Sequence, residues 1–408
     1  MLLVIFYMKP IKLNLNFPKE LKTIFGIISS AGGECRLVGG CVRDYLINKT
    51  PVDFDIATNL IPETIIEIFK KNNVKVFPIG IEHGTVLVVI NKFNFEITTL
   101  RKDVKCFGRH AKVQFTQDWK EDAARRDFTM NAMSITSSGE LYDYFDGQKD
   151  LDQKKVKFVG NPTKRIKEDY LRILRYLRFL GSFGLNNIDQ DSYKASIENI
   201  QSLELISKER IKRELIKLLT SKFAKEVIIK LHNENILRYI GLPSIIISNE
   251  QLQKINLKIN DPLVNLAILC NLSIIQNENK ITLLKNNLQL SNKEYKELND
   301  LTSFNTQNEF TNFHHYKYWY EYGKKLYLRF LFVINNINKI HQYEQFLYEA
   351  TSSADFSFPL NGNDLQKLNI QGKAIGDAIN KAKFHWHKHN NKLDKSELID
   401  YLKNYNSS

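Results

Sequence analysis

The sequence predicts an α+β fold: a head that mixes strands and helices, then a chain that is helical to its end. Three observations predict this. The first 160 residues alternate short apolar runs with helical patterns and glycine turns. From about Lys164, apolar residues recur at three- and four-residue spacing, the period of a helix buried on one face. Few strand signals follow. At roughly 150 residues per domain, a chain of 408 residues exceeds one compact domain. Hydrophobic residues are 43% and charged residues 25%, which excludes wholesale disorder, collagen and coiled-coil classes.

In chain order, Arg36-Leu-Val-Gly-Gly40 reads as a strand ending in a tight glycine turn, and Val42 to Ile47 opens a helix. Val52 to Ala57 alternates apolar and acidic residues, a strand pattern. Pro62 to Lys71 reads as a helix with proline in its first turn. Thr85 to Ile90 and Phe93 to Leu100 are apolar runs joined through Asn91-Lys92, a hairpin signal. Lys102 to Trp119 has mixed charge and little periodicity, so a long mobile loop is expected there. Beyond it, Leu171, Leu174, Leu177 and Leu180 mark one helix face, and Ile211, Leu215 and Leu218 another. Polar breaks fall near Ile247–Glu250, Gln289–Asn292 and Ala350–Ser357.

Lys and Arg number 58 against 45 Asp and Glu, a net charge of +13 that points to an anionic partner, nucleic acid first. The four cysteines are widely spaced with no CxxC pair, so a disulfide scaffold and a cysteine zinc site are not expected, and a reducing compartment is. No apolar run reaches the roughly 18 residues of a membrane span. Met1 to Met8 is apolar but lacks a basic lead-in and a small-residue cleavage site. The expectation is a cytoplasmic protein with no membrane partner and no stable protein partner.

Two local patterns carry chemistry. In Val52-Asp-Phe-Asp-Ile56, strand geometry turns Val52, Phe54 and Ile56 one way and Asp53 and Asp55 the other. Two carboxylates on one face can share hard divalent cations; magnesium takes a few protein oxygens and fills its remaining positions with water and phosphate. Glu96, in the alternating run Phe93-Asn-Phe-Glu-Ile97, is a third carboxylate if the two strands are neighbours. Two metals about 3.5–4 Å apart would then clamp an in-line displacement at phosphorus. The plainer reading is a solvent-facing acidic pair at a strand edge. Leu37-Val-Gly-Gly-Cys-Val-Arg-Asp44, whose Arg43 lies ten residues before Asp53, places Gly39 and Gly40 between a strand and a helix start. Glycine permits close approach of a ligand, a helix start offers free N–H groups, and Arg43 adds a planar fork suited to phosphate.

The pairing of Gly-Gly-x-Val-Arg-Asp with Asp-x-Asp resembles the class II tRNA nucleotidyltransferase and bacterial poly(A) polymerase family, a branch of the DNA polymerase beta superfamily. The resemblance continues in Arg125-Arg-Asp-Phe-Thr-Met-Asn-Ala-Met133, in Tyr144-Phe-Asp-Gly-Gln-Lys-Asp-Leu151, in Glu168-Asp-Tyr-Leu-Arg-Ile-Leu-Arg-Tyr-Leu-Arg-Phe179 and in Ser207-Lys-Glu-Arg-Ile-Lys-Arg-Glu-Leu215, covering about residues 36–216. It implies a nucleotidyltransferase head with a mixed or antiparallel sheet at 15–160. A helical neck that reads the nucleotide base and RNA follows at 161–225, then a helical body at 226–350 and a helical tail that binds tRNA at 351–408. It implies two-metal transfer from CTP and ATP to the tRNA 3′ end with Mg2+. Relatives that make poly(A), or add only CC or only A, use the same residues; an inactive RNA-binding protein on this fold is the rival from another class.

Asp169 and Arg172 stand three apart, so on a helix they lie close enough to pair on one face. A carboxylate accepts and a guanidinium donates. Cytosine and adenine both show an amino donor beside a ring-nitrogen acceptor, whereas uracil and guanine show the reverse order. One fixed pair can therefore accept C and A and reject U and G, at roughly 1–3 kcal/mol per unpaired buried group. The resemblance assigns that role to these residues, places Arg175 and Arg178 facing the nucleotide and its phosphates, and brings Arg125 to the incoming nucleotide. Arg126 either does the same or forms a salt bridge with Asp127. Asn131 is expected to satisfy backbone groups near the site. His385-Trp-His-Lys-His389 is read as a surface helix terminus, not a metal site, and the aromatic run from His314 to Tyr320 as core packing with RNA stacking as the alternative.

Overall fold

A computed structural model describes residues 11–13, 15–107, 110–242, 249–257, 260–271, 279–304 and 308–406. The chain divides into two compact units, Met1–Leu231 and His232–Ser408.

In the first unit the strands are β1 (Ile11–Lys12), β2 (Cys35–Val38), β3 (Phe54–Thr58), β4 (Lys75–Gly80), β5 (Thr85–Ile90), β6 (Phe93–Thr99), β7 (Arg101–Phe107), β8 (His110–Phe115), β9 (Ser134–Thr136) and β10 (Glu140–Tyr142). Among the described residues, eight of them form one sheet in the order β1-β10-β9-β2-β3-β6-β5-β4. Every neighbouring pair is antiparallel except β3 and β6, which run parallel. The β5–β6 turn matches the expected hairpin. Asn91 and Lys92 both have positive φ (48° and 70°), the backbone a two-residue hairpin loop demands.

Helix α1 (Lys19–Ser30) buries Leu21, Ile24, Phe25 and Ile28, one face at helical spacing. Helix α2 (Gly40–Leu46) follows β2 directly, and α3 (Pro62–Lys71) begins on the proline that pre-sets its first turn.

Three expectations change. Most of the described part of 102–119 is not a loop: β7 and β8 pair with each other as a ribbon outside the main sheet. A separate ribbon needs only main-chain pairing, which leaves no mark in side-chain alternation. Helix α4 (Trp119–Ala124) then starts with Asp118 accepting from the Lys120 N–H as its cap. Second, β3 begins at Phe54, so Val52, expected to open the strand, lies before it and is 91% exposed. Third, the segment after Lys164 is two helices, α6 (Pro162–Glu168) and α7 (Leu171–Phe183), the earlier α5 (Gly147–Asp152) lying before them. Between α6 and α7 Asp169 adopts an extended backbone (φ −155°, ψ 107°). The break turns Asp169 off the helix face it was expected to share with Arg172.

An aromatic core joins these parts. Phe128 lies 4.8 Å from Phe158 and 5.3 Å from Phe179, and Phe158 stacks on Tyr176 at 5.6 Å, ring centre to ring centre. All four are buried, so the segment after Arg126 is welded to α7. Helices α8 (Gln190–Glu198) and α9 (Lys208–Leu219) follow, α9 burying Ile211, Leu215 and Leu218 as its spacing predicts, and a helix from Ala224 runs to the end of the unit.

The second unit is helical throughout its described residues, and it is described by itself. The break at Gln289–Asn292 separates helices Asn279–Leu288 and Asn292–Leu301, with Gln289 left-handed at φ 46°. The break at Ala350–Ser357 contains the end of helix Tyr343–Ser352. The break expected near Ile247–Glu250 falls largely outside the described residues. His315 and Trp319 are buried, so the run from His314 to Tyr320 packs into the core; His385–His389 does end the helix Lys373–Lys388, but Trp386 and His387 are buried, so the expected surface terminus is corrected to one packed through those two side chains. Among the described residues no group of three His, Cys, Asp or Glu side chains converges as a metal cluster, there or elsewhere.

Gly147 abuts the turn Thr129–Asn131: a Cβ at that position would stand 2.2 Å from the Thr129 carbonyl oxygen and 2.7 Å from its carbon. Both atoms are main chain, so the backbone must move. Gly147→Ala is expected to lower stability by about 1–3 kcal/mol, read as a lower denaturation midpoint with an unchanged slope. An unchanged midpoint would show that this turn yields freely.

Candidate active site

Gly39 carries the β2–α2 bend with φ 77° and ψ −132°, a backbone open to glycine and strained for other residues. The buried Cys41 thiol donates to the carbonyls of Val38 (3.2 Å) and Asp55 (3.8 Å), tying α2 to β3. Burial pushes that thiol up to about 12, so it serves as a small packing group, not a nucleophile. A Cβ on Gly39 would stand 3.0 Å from Arg126 Nη1 and 3.7 Å from Asp55 Oδ2. The diglycine bend, a carboxylate and a guanidinium therefore meet at one point.

Asp53 lies immediately before β3 and Asp55 is its second residue. The parallel register pairs Asp55 with Glu96 of β6, so the expectation that the two acidic strands are neighbours is met. Enclosure by the surrounding protein raises the Asp55 carboxyl, with Arg126 opposing and Asp53 adding to the rise, although Asp55 keeps an exposed face. Glu96 is raised by burial and then by the charges of Asp55 and Asp53. Three negative groups thus repel one another, a donor set that a divalent cation relieves. Glu96 does not complete a three-ligand cluster with the aspartates. Two protein carboxylates, with water and phosphate supplying the remaining oxygens, is the arrangement magnesium favours.

The arginines are held by acids to which the sequence reading gave no anchoring role or a different partner. Buried Asp122 of α4 accepts from Arg125 Nε and Nη2 (3.0 Å each) on Oδ1 and from Arg126 Nη2 (3.3 Å) on Oδ2. Burial pushes Asp122 up, but the two arginines outweigh it and hold the carboxyl below its usual range. Arg126 therefore bridges Asp122 and the Gly39 bend. It does not pair with Asp127, which takes Arg175 Nε at 2.7 Å and Nη2 at 2.5 Å instead. Asp127 also accepts from Asn131 Nδ2 (3.1 Å) and the Phe128 N–H (2.9 Å), while Asn131 Oδ1 accepts from Arg43 Nη1 (2.9 Å). Asn131 thus joins side chains; the expectation that it caps backbone groups is corrected. Arg43 also pairs with Asp44 (2.8 Å) and faces the Phe179 ring. Arg178, expected like Arg175 to face the nucleotide, lies 3.2 Å from Glu214 of α9. Both arginines brace α7, because the acids opposite them are buried and need neutralising.

The Asp169–Arg172 pairing expected on one helix face is not made. Asp169 Oδ2 accepts from Arg210 of α9 (2.7 Å), and Oδ1 accepts from the Leu171 N–H (3.2 Å). Arg172 Nη1 donates to Glu168 (2.7 Å) and to the Arg165 carbonyl (2.8 Å), and Nη2 donates to the Arg125 carbonyl (3.3 Å). A guanidinium has five N–H donors, so Nε and one Nη2 hydrogen remain to be used, and each Asp169 oxygen keeps a lone pair. The spacing Asp122/Arg125–Arg126 and Glu168/Arg172 was visible as i, i+3 and i, i+4 pairs; Arg210 lies 41 residues from Asp169 and left no local signal.

Comparison with known proteins places this geometry. Residues 35–157 match the family described as the poly A polymerase head domain, and residues 187–245 one described as a probable RNA- and SrmB-binding site of polymerase A. The chain is 33% identical to the Homo sapiens protein named "CCA tRNA nucleotidyltransferase 1, mitochondrial", across 95% of this chain and 90% of that one. It is 36% identical to a CCA-adding enzyme of Staphylococcus haemolyticus across 69% of this chain and 67% of that one. The solved Bacillus stearothermophilus CCA-adding enzyme in complex with CTP superposes with a TM-score of 0.76, 25% identity, and 96% and 98% coverage of the two chains.

The repulsion among the carboxylates has a measurable sign. A carboxyl raised in the folded state binds more protons folded than unfolded, so its ionisation lowers stability as pH rises through that range. Without divalent cations, Asp55→Asn is expected to raise the melting temperature at neutral pH. The gain should shrink as the pH falls towards the range where Asp55 itself is protonated. A lower melting temperature at neutral pH would mean that Arg126 dominates Asp55 and that the site is not under repulsion.

Proposed function

The chain belongs to the CCA tRNA nucleotidyltransferase family, and from that premise we propose how its residues add C, C and A to the 3′ end of tRNA. The observation that carries the account is the meeting of Asp55 and Arg126 at the Gly39 bend, with Asp53 and Glu96 adding charge on the same side.

In the reaction, the terminal ribose oxygen of the RNA bonds to the α-phosphorus of CTP or ATP. Its proton is lost, the bond from that phosphorus to the bridging oxygen breaks, and pyrophosphate leaves. Asp53 and Asp55 would hold Mg2+; when bound there it spreads the charge of the triphosphate and eases loss of the hydroxyl proton. Glu96 keeps the pocket acidic beside them. Arg126 reaches the triphosphate from the Asp122 anchor, while Gly39 and Gly40 let the main chain come close. Arg43, steadied by Asn131 and Asp44, adds a second guanidinium. Asp169 accepts the amino group of C or A with a spare lone pair, and Arg172 donates to the ring nitrogen with its remaining N–H groups. Arg175 and Arg178 act through position, fixing α7 on Asp127 and Glu214. We assign catalysis to 15–160, base reading to 161–225, and tRNA binding to the helical 226–350 and 351–408.

No helix among the described residues is long and apolar enough to cross a membrane. Cys35, Cys41 and Cys270 are buried thiols outside any disulfide, which suits a reducing compartment, and we read that compartment as the cytoplasm.

Purified protein given tRNA lacking its end should incorporate labelled CTP twice and then ATP once. Long A-tracts on unrelated RNA without C addition would make it a poly(A) polymerase. Asp53→Ala should abolish incorporation while retaining tRNA on a filter; undiminished turnover would remove Asp53 from the site. Arg172→Met should lower the preference for CTP over UTP by roughly 10-fold or more, since one lost buried donor is worth about 1–3 kcal/mol. An unchanged ratio would place base selection elsewhere.

A further inference from the structure

We propose that a basic cleft on the outer side of the Asp122 anchor binds the phosphate backbone of the single-stranded 3′ end of the RNA primer. The proposal rests on the nucleotidyl-transfer reading above. The cleft encloses about 760 Å³, within the ~300–1,000 Å³ of ligand-sized pockets. Lys102 of β7, Arg125 at the end of α4, and Lys164, Arg165 and Lys167 of α6 line it.

Against these five cations stand Glu121 and Glu168, and both are already engaged. Glu121 lies 3.5 Å from Lys102, and Glu168 is shared by Arg165 and Arg172 at 2.7 Å each. Arg125 is likewise committed to Asp122. Lys164 and Lys167 are exposed, and no carboxylate among the described residues pairs with them. No aromatic side chain lines the cleft, so it offers nothing for a base to stack on; Asn161 and Thr163 add small polar groups. Cations without aromatics suit a sugar–phosphate chain read by charge.

Position selects which RNA. Arg125 is adjacent in sequence to Arg126, whose guanidinium stands at the Gly39 bend, and Glu168 on the same wall holds the base-reading Arg172. The incoming nucleotide occupies Arg172 and the carboxylates. The cleft beside them is left for the other substrate, the strand whose last hydroxyl must reach Asp53 and Asp55.

The test uses the full chain carrying Lys164→Gln and Lys167→Gln together, exposed changes that leave the core intact. Steady-state addition of A is measured on tRNA ending in CC. Filter binding at several salt concentrations compares that tRNA with one trimmed of its single-stranded end. The expected result is a KM for RNA raised about 10-fold, with kcat at saturating RNA and KM for ATP unchanged. The slope of log affinity against log salt should fall by about 1.4, two phosphates at roughly 0.7 each. The trimmed tRNA should bind wild type and variant alike. An unchanged RNA KM and salt slope would overturn the proposal. So would a raised KM for ATP alone, which assigns the cleft to the nucleotide, or an equal loss with trimmed tRNA, which assigns it to the duplex. A wild-type protein that adds no nucleotide would sink the catalytic reading instead, and the binding comparison would still judge the cleft.

Discussion

The structure depends on keeping one buried carboxylate ionised. Asp127 sits where burial alone would protonate it. Burial pushes it up, but the Arg175 charge, the hydrogen bonds from Asn131 and Arg175, and the charge of Arg172 together hold it below the usual carboxylate range. Because it stays charged it can bind at once the α7 arginine, the Phe128 amide and Asn131. Asn131 in turn holds Arg43 beside the diglycine bend. One acid thereby connects α7 to Arg43 through three hydrogen bonds, Arg175 to Asp127, Asn131 to Asp127 and Arg43 to Asn131. Removing one partner of such a pair leaves an unpaired buried charge, a loss of about 3–5 kcal/mol, whereas the same pair on a surface would be worth ~0–1 kcal/mol.

The same rule recurs around the site with the signs arranged for a purpose. Each arginine near the bend has a carboxylate behind it: Asp122 behind Arg125 and Arg126, Asp44 behind Arg43, Glu168 behind Arg172. On the proposed reading, these guanidiniums are held in place before an anionic substrate arrives and would lose little side-chain freedom on binding it, which is how preorganisation strengthens a contact. The carboxylates proposed for catalysis are treated in the opposite way. Asp55 and Glu96 are set in register on adjacent parallel strands and left under mutual repulsion, a charge arrangement that a bound cation would relieve.

The elements whose sequence pattern reports burial were legible from residues alone. Helix α3 and the β5–β6 hairpin follow their apolar spacing and turn chemistry. The parallel pairing that brings Glu96 beside Asp55 was legible only as a condition, since alternation says which face a residue takes and not which strand lies next to it. The β7–β8 ribbon escaped because main-chain pairing leaves no side-chain periodicity. Asp169 escaped for a sharper reason: the run Glu168 to Phe179 scores as one helix at every position, and only the extended backbone at 169 redirects its carboxylate to Arg210. The acid partners were visible as spacings but not as anchors. A Glu–Arg pair four apart reads the same whether it is solvated or holds a template residue in place, and only the burial of Asp122 and Asp127 separates the two cases.

That redirection bears on how a protein can stand in for a nucleic-acid template. A base-reading pair made of two long side chains on one exposed helix face would reorient to suit U or G, because a flexible acceptor and donor can trade places at the cost of a rotamer change. Here Asp169 is fixed from α9 by Arg210 and from its own chain by the Leu171 amide, while Arg172 is fixed by Glu168 and two carbonyls. Swapping their positions would break both partly buried ion pairs, each worth between the ~0–1 kcal/mol of an exposed pair and the ~3–5 kcal/mol of a buried one. Those two losses oppose the roughly 1–3 kcal/mol gained by satisfying one mismatched group. If Asp169 and Arg172 read the base as proposed, selection of C and A over U and G would come from the rigidity of these supports as much as from the donor and acceptor that touch the base.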